Sequence, residues 1–417
     1  MKQHSPWTWV PSLYFAEGMP YVAVMILSLV MYKKMGISNT DIALYTSWLN
    51  LPWVIKPLWS PFIDLIRTKR QWITAMQLLI GAGLGGIALT IPTEAFFQYT
   101  LAIFWLLAFC SATHDIASDG FYMLALSPRQ QALFVGIRST FYRLATIAGQ
   151  GLLIILAGYL ESHSGSIPYA WSITFFVLSG LFIAIWLYHQ HLLPRPATDC
   201  PAVHVTARTL LREFFLTFRS FFAKEGILPA LLFMLLYRLP EAQLAKMSIP
   251  FLVDPVSEGG LAMTTTQIGF AQGTTGIIGL TLGGILGGIA VSRQGLRYWL
   301  WPMVLAISVP DAVYVLLSYT PSPSLFFINV CIFIEQFGYG FGFTAYMLFL
   351  IHFSDGPHQT AHYAICTAFM ALGMMLPGMV AGYIQEAIGY RHFFLWIMAC
   401  TLATFLVTAP IRHRCTD

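Results

Sequence analysis

The chain has 417 residues, of which 57% are hydrophobic and 10% charged, and its net charge is +4. A water-soluble protein carries charge on about a quarter of its residues and could not cover so much apolar surface, and so weak a basic balance gives no footing for nucleic acid. What remains is an all-α membrane protein, in which about 20 apolar residues suffice for each crossing.

Taken in chain order, the apolar stretches predict twelve crossings over 7–32, 41–66, 72–91, 97–124, 132–159, 170–189, 227–253, 265–291, 298–319, 325–353, 363–384 and 392–411. The basic residues between them are one-sided. With the N-terminus in the cytoplasm, Lys2, Arg67, Lys69, Arg70, Arg129, Arg195, Arg208, Arg212, Arg219, Lys224, Arg293, Arg297, Arg412 and Arg414 share one side, and Lys33, Lys34 and Arg391 take the other. By the positive-inside rule both termini are cytoplasmic. The longest polar interval, 193–225, contains Pro194, Pro196, Pro201 and an amphipathic run over 209–218, and it splits the spans six and six. The expected organisation is a six-helix bundle over 1–192, a cytoplasmic linker, and a second six-helix bundle over 226–417 with pseudo-two-fold symmetry. In such carriers cargo binds near mid-membrane between the halves.

Several ionisable residues lie inside the spans, where each costs at least a few kcal/mol unless compensated. Glu17 sits in the broken stretch Ala16-Glu17-Gly18-Met19-Pro20. Lys56 is flanked by Pro52 and Pro57, which free backbone carbonyls. Asp115 and Asp119 are four residues apart and share one helix face. Mutual repulsion makes them candidate proton sites, and permanent pairing with bases is the alternative. Arg138 and Arg143 reach their depths, but five residues rotate a helix by about 500°, so the two cannot share one site. Arg143 is taken as the cavity residue and Arg138 as structural. Tyr237-Arg238-Leu239-Pro240-Glu241 echoes Tyr14 to Glu17 at the equivalent place in the second half. There an exposed binding role competes with a self-neutralising Arg238–Glu241 pair. Asp311, after Pro310 on an outer span, reads as a local pairing residue, and Glu335 on the tenth span as a cavity candidate. The candidate proton-coupling residues are therefore Asp115, Asp119, Glu17 and Glu241. Those for substrate are Lys56, Arg143, Arg238, Tyr14, Tyr237 and Glu335. The six cysteines have no metal-ligand spacing, and neither a phosphate-binding glycine loop nor a metalloprotease motif is present, so no cofactor, metal or enzymatic chemistry is expected.

Two loops repeat a pattern: Ser60-Pro-Phe-Ile-Asp64-Leu-Ile-Arg67-Thr-Lys69-Arg70 after the second span, and Gly288-Ile-Ala-Val-Ser292-Arg293-Gln-Gly295-Leu-Arg297 after the eighth. Both resemble the acidic-then-basic loop of the major facilitators. The resemblance implies a cytoplasmic gate made by Asp64, Arg67, Arg70, Arg293 and Arg297, weaker in the second half where Ser292 replaces the acid.

Three further segments are similar to AmpG-type muropeptide permeases, within the peptide, acetyl-coenzyme A and drug transporter branch. They are Lys56-Pro-Leu58-Trp59-Ser60-Pro61-Phe-Ile-Asp64, Phe109-Cys110-Ser111-Ala112-Thr-His-Asp115-Ile116-Ala-Ser-Asp119, and Tyr142-Arg143-Leu144, with Ala145 in place of glycine. Weaker echoes run to Thr360-Ala361, while Glu17 and Pro240 depart from the pattern. The resemblance implies a monomeric carrier of the bacterial inner membrane that imports anionic anhydromuropeptides with protons by alternating access. Lys56, Arg143 and Arg238 would hold carboxylates. Another anionic cargo (acetyl-coenzyme A, a siderophore or a drug) or a non-transporting sensor of wall fragments are the alternatives.

Overall fold

The structure, a computed structural model, describes residues 5–196, 199, 207–320, 323–355 and 359–412. The side chains of 61–62, 64–66, 128–129, 131–133, 135–136, 139, 207–211, 213 and 359–360 lie outside that description. The described residues contain helices and no strand. In chain order these are α1 (Val10–Val22), α2 (Ser28–Lys34), α3 (Asn39–Trp48), α4 (Leu51–Ile66), α5 (Lys69–Thr90), α6 (Phe96–Ala125), α7 (Pro128–Thr146), α8 (Ile154–Ser164) and α9 (Ile167–Leu192). There follow α10 (Ala207–Phe222), α11 (Ile227–Leu236), α12 (Leu239–Val253), α13 (Thr265–Phe270), α14 (Ile277–Gln294), α15 (Leu296–Ser308), α16 (Ala312–Tyr319), α17 (Leu325–Ser354) and α18 (Gln359–Thr408).

Among the described residues, ten helical stretches are long and apolar enough to cross a membrane. The difference from twelve has a local cause at two places. The span expected over 41–66 is two short helices, α3 and α4, parted where the Asn50 side chain bonds the Ser47 carbonyl just before Pro52. The last two expected spans run together as α18, which breaks at Gly389 with φ 73. Only glycine takes that conformation without strain. Three wide π turns, Ala23–Leu27, Ile147–Leu153 and Ala271–Gly276, interrupt other spans without ending them. Starts are coded locally: Thr68 with Gln71, Ser127 with Gln130 and Thr264 with Gln267 form reciprocal capping boxes that open α5, α7 and α13. The amphipathic run of the linker lies in α10, and Lys224 just beyond it donates to the Phe353 and Asp355 carbonyls at 2.5 and 2.7 Å.

Contacts divide the chain into two compact units, Met1–Met35 with Ile55–Leu210, and Gly36–Val54 with Leu211–Asp417. In the first, α1 packs on α7 and α5 packs on α6 and α9. Its apolar core includes Trp9, Leu13, Ile73, Phe121 and Phe134. A buried polar chain threads four of its helices. Ser12 Oγ lies 2.9 Å from His189 Nε2, His189 Nδ1 3.0 Å from Gln77 Oε1, Gln77 Nε2 3.0 Å from His114 Nε2, and His114 Nδ1 3.3 Å from Ser118 Oγ. The amide oxygen can only accept and the amide nitrogen only donate. Both imidazoles are therefore satisfied as neutral rings, which makes this chain structural glue.

In the second unit α14 and α17 approach closely because Gly279, Gly283 and Gly287 form one small-residue stripe. A Cβ on Gly283 would strike the Phe337 carbonyl, whereas one on Gly288 would meet nothing within 4 Å. Gly378 and Gly382 do the same for α3 against α18, where Asn39 donates to Gln385 at 2.6 Å and to Tyr390 at 2.9 Å.

Two stability outcomes follow, each read as the melting temperature of purified protein in detergent. Gly283→Ala should cost about 1–3 kcal/mol by overpacking, while Gly288→Ala leaves the melting temperature unchanged. Gln77→Leu strands one nitrogen on each imidazole, at about 1–3 kcal/mol per buried unsatisfied group, and should lower the melting temperature more than Gln71→Leu on the exposed capping box.

Candidate functional site

In the first unit, one turn of α6 presents Asp115 and Asp119, and each meets a different base. Lys56 on α4 forms an ion pair with Asp115. Arg138 on α7 pairs with Asp119 at 2.9 Å, and the Tyr14 hydroxyl on α1 donates to the same oxygen at 3.0 Å. The guanidinium also lies 4.5 Å from the centre of the Tyr14 ring and 5.2 Å from that of Tyr122. Asp119 keeps 40% of its side-chain surface accessible, and Lys56 keeps 26%. These groups are therefore not sealed in dry contacts.

Glu17 stands one helical turn beyond Tyr14, buried, within electrostatic reach of Asp115, Asp119, Arg138 and Lys56. Its Oε2 has no hydrogen-bond partner among the described residues. Gly18 beside it lets α1 close onto α7, since a Cβ there would lie 3.0 Å from the Tyr142 carbonyl and 3.1 Å from Ala145 Cβ. Arg143 is exposed and makes no ion pair among the described residues. Of the two arginines, Arg138 is the one brought to the carboxylates.

The second unit carries its own charged centre at the break between α11 and α12. Arg238 donates from Nε to Glu241 Oε2 at 2.5 Å and from Nη2 to Oε1 at 2.8 Å, and Nη2 also donates to the Tyr339 hydroxyl at 2.8 Å. Phe343 faces the guanidinium at 4.8 Å. The self-neutralising arrangement is the one found. Tyr237 is buried with its hydroxyl donated to the Gly342 carbonyl at 3.0 Å and its ring stacked on Tyr346. Glu335 on α17 is buried, and the Gln336 amide donates to both its oxygens at 3.2 and 3.0 Å.

Lys246 escaped the sequence reading. It lies on α12, buried, with Nζ donating to Thr46 Oγ1 at 3.0 Å and no carboxylate paired to it among the described residues. The signal was available, because it is a lysine inside a span of 27 residues long and apolar enough to cross a membrane, Ile227–Val253.

The expected gate residues have separate environments. Asp64 lies on α4 with its side chain outside the described residues. Arg70 donates to the Gln190 carbonyl at 2.5 Å and the Leu193 carbonyl at 3.3 Å, closing the C-terminus of α9, while Asp199 accepts from the Lys69 and Arg70 amides at the start of α5. Arg67, Arg293 and Arg297 are exposed.

Paired charges inside two helical units that also carry broken spans are the apparatus of a carrier, and sequence comparison agrees. The profile of the Major Facilitator Superfamily matches residues 12–355. The chain belongs to that superfamily. It is 25% identical over 407 residues to the anhydromuropeptide permease of Escherichia coli (strain K12), covering 96% of this chain and 78% of that protein. It is 24% identical over 415 residues to the putative transporter AmpG 4 of Rickettsia conorii, covering 95% and 94%. The crystal structure of a D-xylose-proton symporter superposes with a TM-score of 0.71 at 13% identity, covering 98% of this chain and 97% of that one, which speaks for the fold. The resemblance to AmpG-type permeases read from the motifs is thus borne out, and the chain is a multi-pass membrane transporter rather than an enzyme.

Replacing one partner of a buried ion pair strands the other, at about 3–5 kcal/mol, whereas replacing both by apolar groups is near neutral. Glu241→Gln should therefore lower the melting temperature sharply. The double variant Arg238→Met with Glu241→Leu should recover most of the loss, as measured by thermal unfolding of the two proteins side by side.

Proposed function

We propose that this transporter imports anhydromuropeptides, anionic sugar-peptide fragments of the cell wall, across the bacterial inner membrane by proton symport through alternating access. The observation that carries the reading is the near full-length similarity to the E. coli anhydromuropeptide permease. It includes the second-, fourth- and fifth-span segments that hold Lys56, Asp115, Asp119 and Arg143. On this reading the chain acts as a monomer with twelve crossings and both termini cytoplasmic, its halves being 1–192 and 226–417 joined by the linker 193–225.

The electrical work supports symport. Moving an anion inward against an inside-negative potential costs about 2.3 kcal/mol per charge per 100 mV, which co-imported protons offset. Lys56, Arg143 and Arg238 are assigned to the cargo carboxylates. Lys246, a buried lysine with no carboxylate paired to it among the described residues, joins them, and Tyr14, Tyr237 and Glu335 are assigned to the cargo as well. Of the four acids proposed to take part in coupling, Asp115, Asp119 and Glu241 each have a basic partner. Glu17, whose Oε2 is unpartnered, is assigned the transferred proton. Asp64, Arg67, Arg70, Arg293 and Arg297 are assigned to the cytoplasmic gate.

The test is uptake of labelled anhydromuropeptide into proteoliposomes with one pH unit imposed, acid outside, and the membrane potential clamped at zero. Wild-type protein should accumulate the label, and Glu17→Gln should hold about tenfold less at steady state, the equivalent of one proton over one pH unit. Accumulation of acetyl-coenzyme A or a siderophore in place of the muropeptide would overturn the cargo assignment. Uptake indifferent to the gradient would overturn symport.

A further inference from the structure

Asp115 and Asp119 of the first unit and Glu241 of the second are answered by bases, whereas Asp311 and Glu335 of the second unit have none among the described residues. Asp311 lies in the short turn Val309–Asp311 between α15 and α16, and it is 3% exposed. Its Oδ2 has no hydrogen-bond partner among the described residues. Glu335 on α17 is 4% exposed and, among the described residues, receives only the Gln336 amide.

The two belong to one neighbourhood. A Cβ on Gly338, one turn beyond Glu335, would run into Pro310 and the Ala306 carbonyl, so the turn bearing Asp311 is seated directly on α17. Asp311 is in electrostatic contact with Glu335 and with Glu241 of α12. Tyr314 of α16 feels both acids, and its hydroxyl interacts with Gln272 and with Ser248 of α12. The ionisable groups facing the pair are thus Glu241, already neutralised by Arg238, and Tyr314, a neutral phenol. No cation faces it among the described residues. Two carboxylates cannot both stay ionised in a dry interior with no counter-charge. At least one proton must reside there, and Oδ2 of Asp311 has room in its bonding for it.

We propose that Asp311 and Glu335 form a second proton-binding site, which fills and empties during transport so that two protons accompany each cargo molecule. The inference rests on the symport reading above, in which Glu17 carries the other proton.

The decisive measurement is the static accumulation ratio of labelled anhydromuropeptide in proteoliposomes, with one pH unit imposed and the potential clamped at zero. Two protons per cargo give about 100-fold accumulation and one gives about tenfold. Wild-type protein should reach the higher figure. Asp311→Asn should fall to the lower one while exchanging internal for external cargo at the wild-type rate when the two pH values are equal, and Glu335→Gln should fall to the same lower ratio. A residue that merely packs would change the exchange rate and leave the ratio alone. Variants that keep the wild-type ratio overturn the proposal, as does a wild-type ratio of about tenfold, which needs no variant and decides the matter even if neither variant folds.

Infrared spectroscopy separates failure of this site from failure of the cargo assignment, because it needs no cargo. The protein at neutral pH should show carboxylic-acid absorption with one component removed by Glu17→Gln and another by Asp311→Asn or Glu335→Gln. If wild-type protein exchanges no muropeptide yet shows both components, the cargo is wrong and the proton pair stands. Absence of the second component in wild-type protein overturns the pair.

Discussion

A charge inside a membrane span must be matched by an opposite charge, by a proton, or by the cargo itself, and that requirement organises this molecule. Lys56 answers Asp115, Arg138 and Tyr14 answer Asp119, and Arg238 answers Glu241. These contacts join α4 to α6, α7 and α1 to α6, and the two sides of the α11–α12 break. They hold helices together, yet their net stabilisation is small, because desolvation of the two ions offsets most of their attraction. A contact of that kind gives position without locking it.

The backbone follows the same division between fixed and adjustable parts. Where α14 meets α17, the glycine stripe brings main chains into contact and leaves no slack. Where chemistry is concentrated the spans are interrupted. The π turn after α1 follows Glu17 by two turns, another follows Arg143 directly at the end of α7, and the chain between α11 and α12 breaks at Arg238 itself. Such interruptions leave carbonyls free and let a span bend without unravelling. The second unit also includes α3, held by small residues on α18 and by the buried Asn39, Gln385, Tyr390 and Asp254 hydrogen bonds. Its partners are thus far away in sequence, while α4, next in the chain, belongs mainly to the other unit.

Most of the helical plan was legible because apolar runs of about 20 residues leave few alternatives in a bilayer. The places that were not legible are those decided by one residue. Asn50 before Leu51-Pro52 ends α3 early, and Gly389 joins two spans into one long stretch by bending rather than stopping. At the charged centres, the shared face of Asp115 and Asp119 followed from their spacing, and depth set Arg143 level with Asp115 and Arg138 level with Asp119, but the choice of Arg143 over Arg138 as the cavity residue was not matched by the pairing found. That Lys56 would take Asp115 did not follow, since it depends on how α4 lies against α6. The His114–Gln77–His189 chain was invisible for the same reason, because α5, α6 and α9 contribute one member each. Lys246 was overlooked for a different one: its apolar surroundings read as uninterrupted core, although a cation there is the unusual feature.

The pairing pattern also explains how an anionic cargo and a proton become linked, on the proposed function. Lys56 and Arg238 already hold carboxylates of the protein, so a cargo carboxylate can take either base only by displacing the resident acid. A displaced acid would be an uncompensated charge, far costlier than the pair it left, unless it is protonated. Protonation of the resident acid and arrival of the cargo anion are then two halves of one exchange, and neither is favourable alone. Residues without an ionic partner among the described residues fit at the two ends of that exchange. On that reading Glu17 and the Asp311–Glu335 pair take protons without competing for a base, and Lys246 is a lysine with no resident acid, among the described residues, to be displaced. On this reading coupling needs no moving wire between distant sites, because the cost of leaving a charge uncompensated enforces it within each unit.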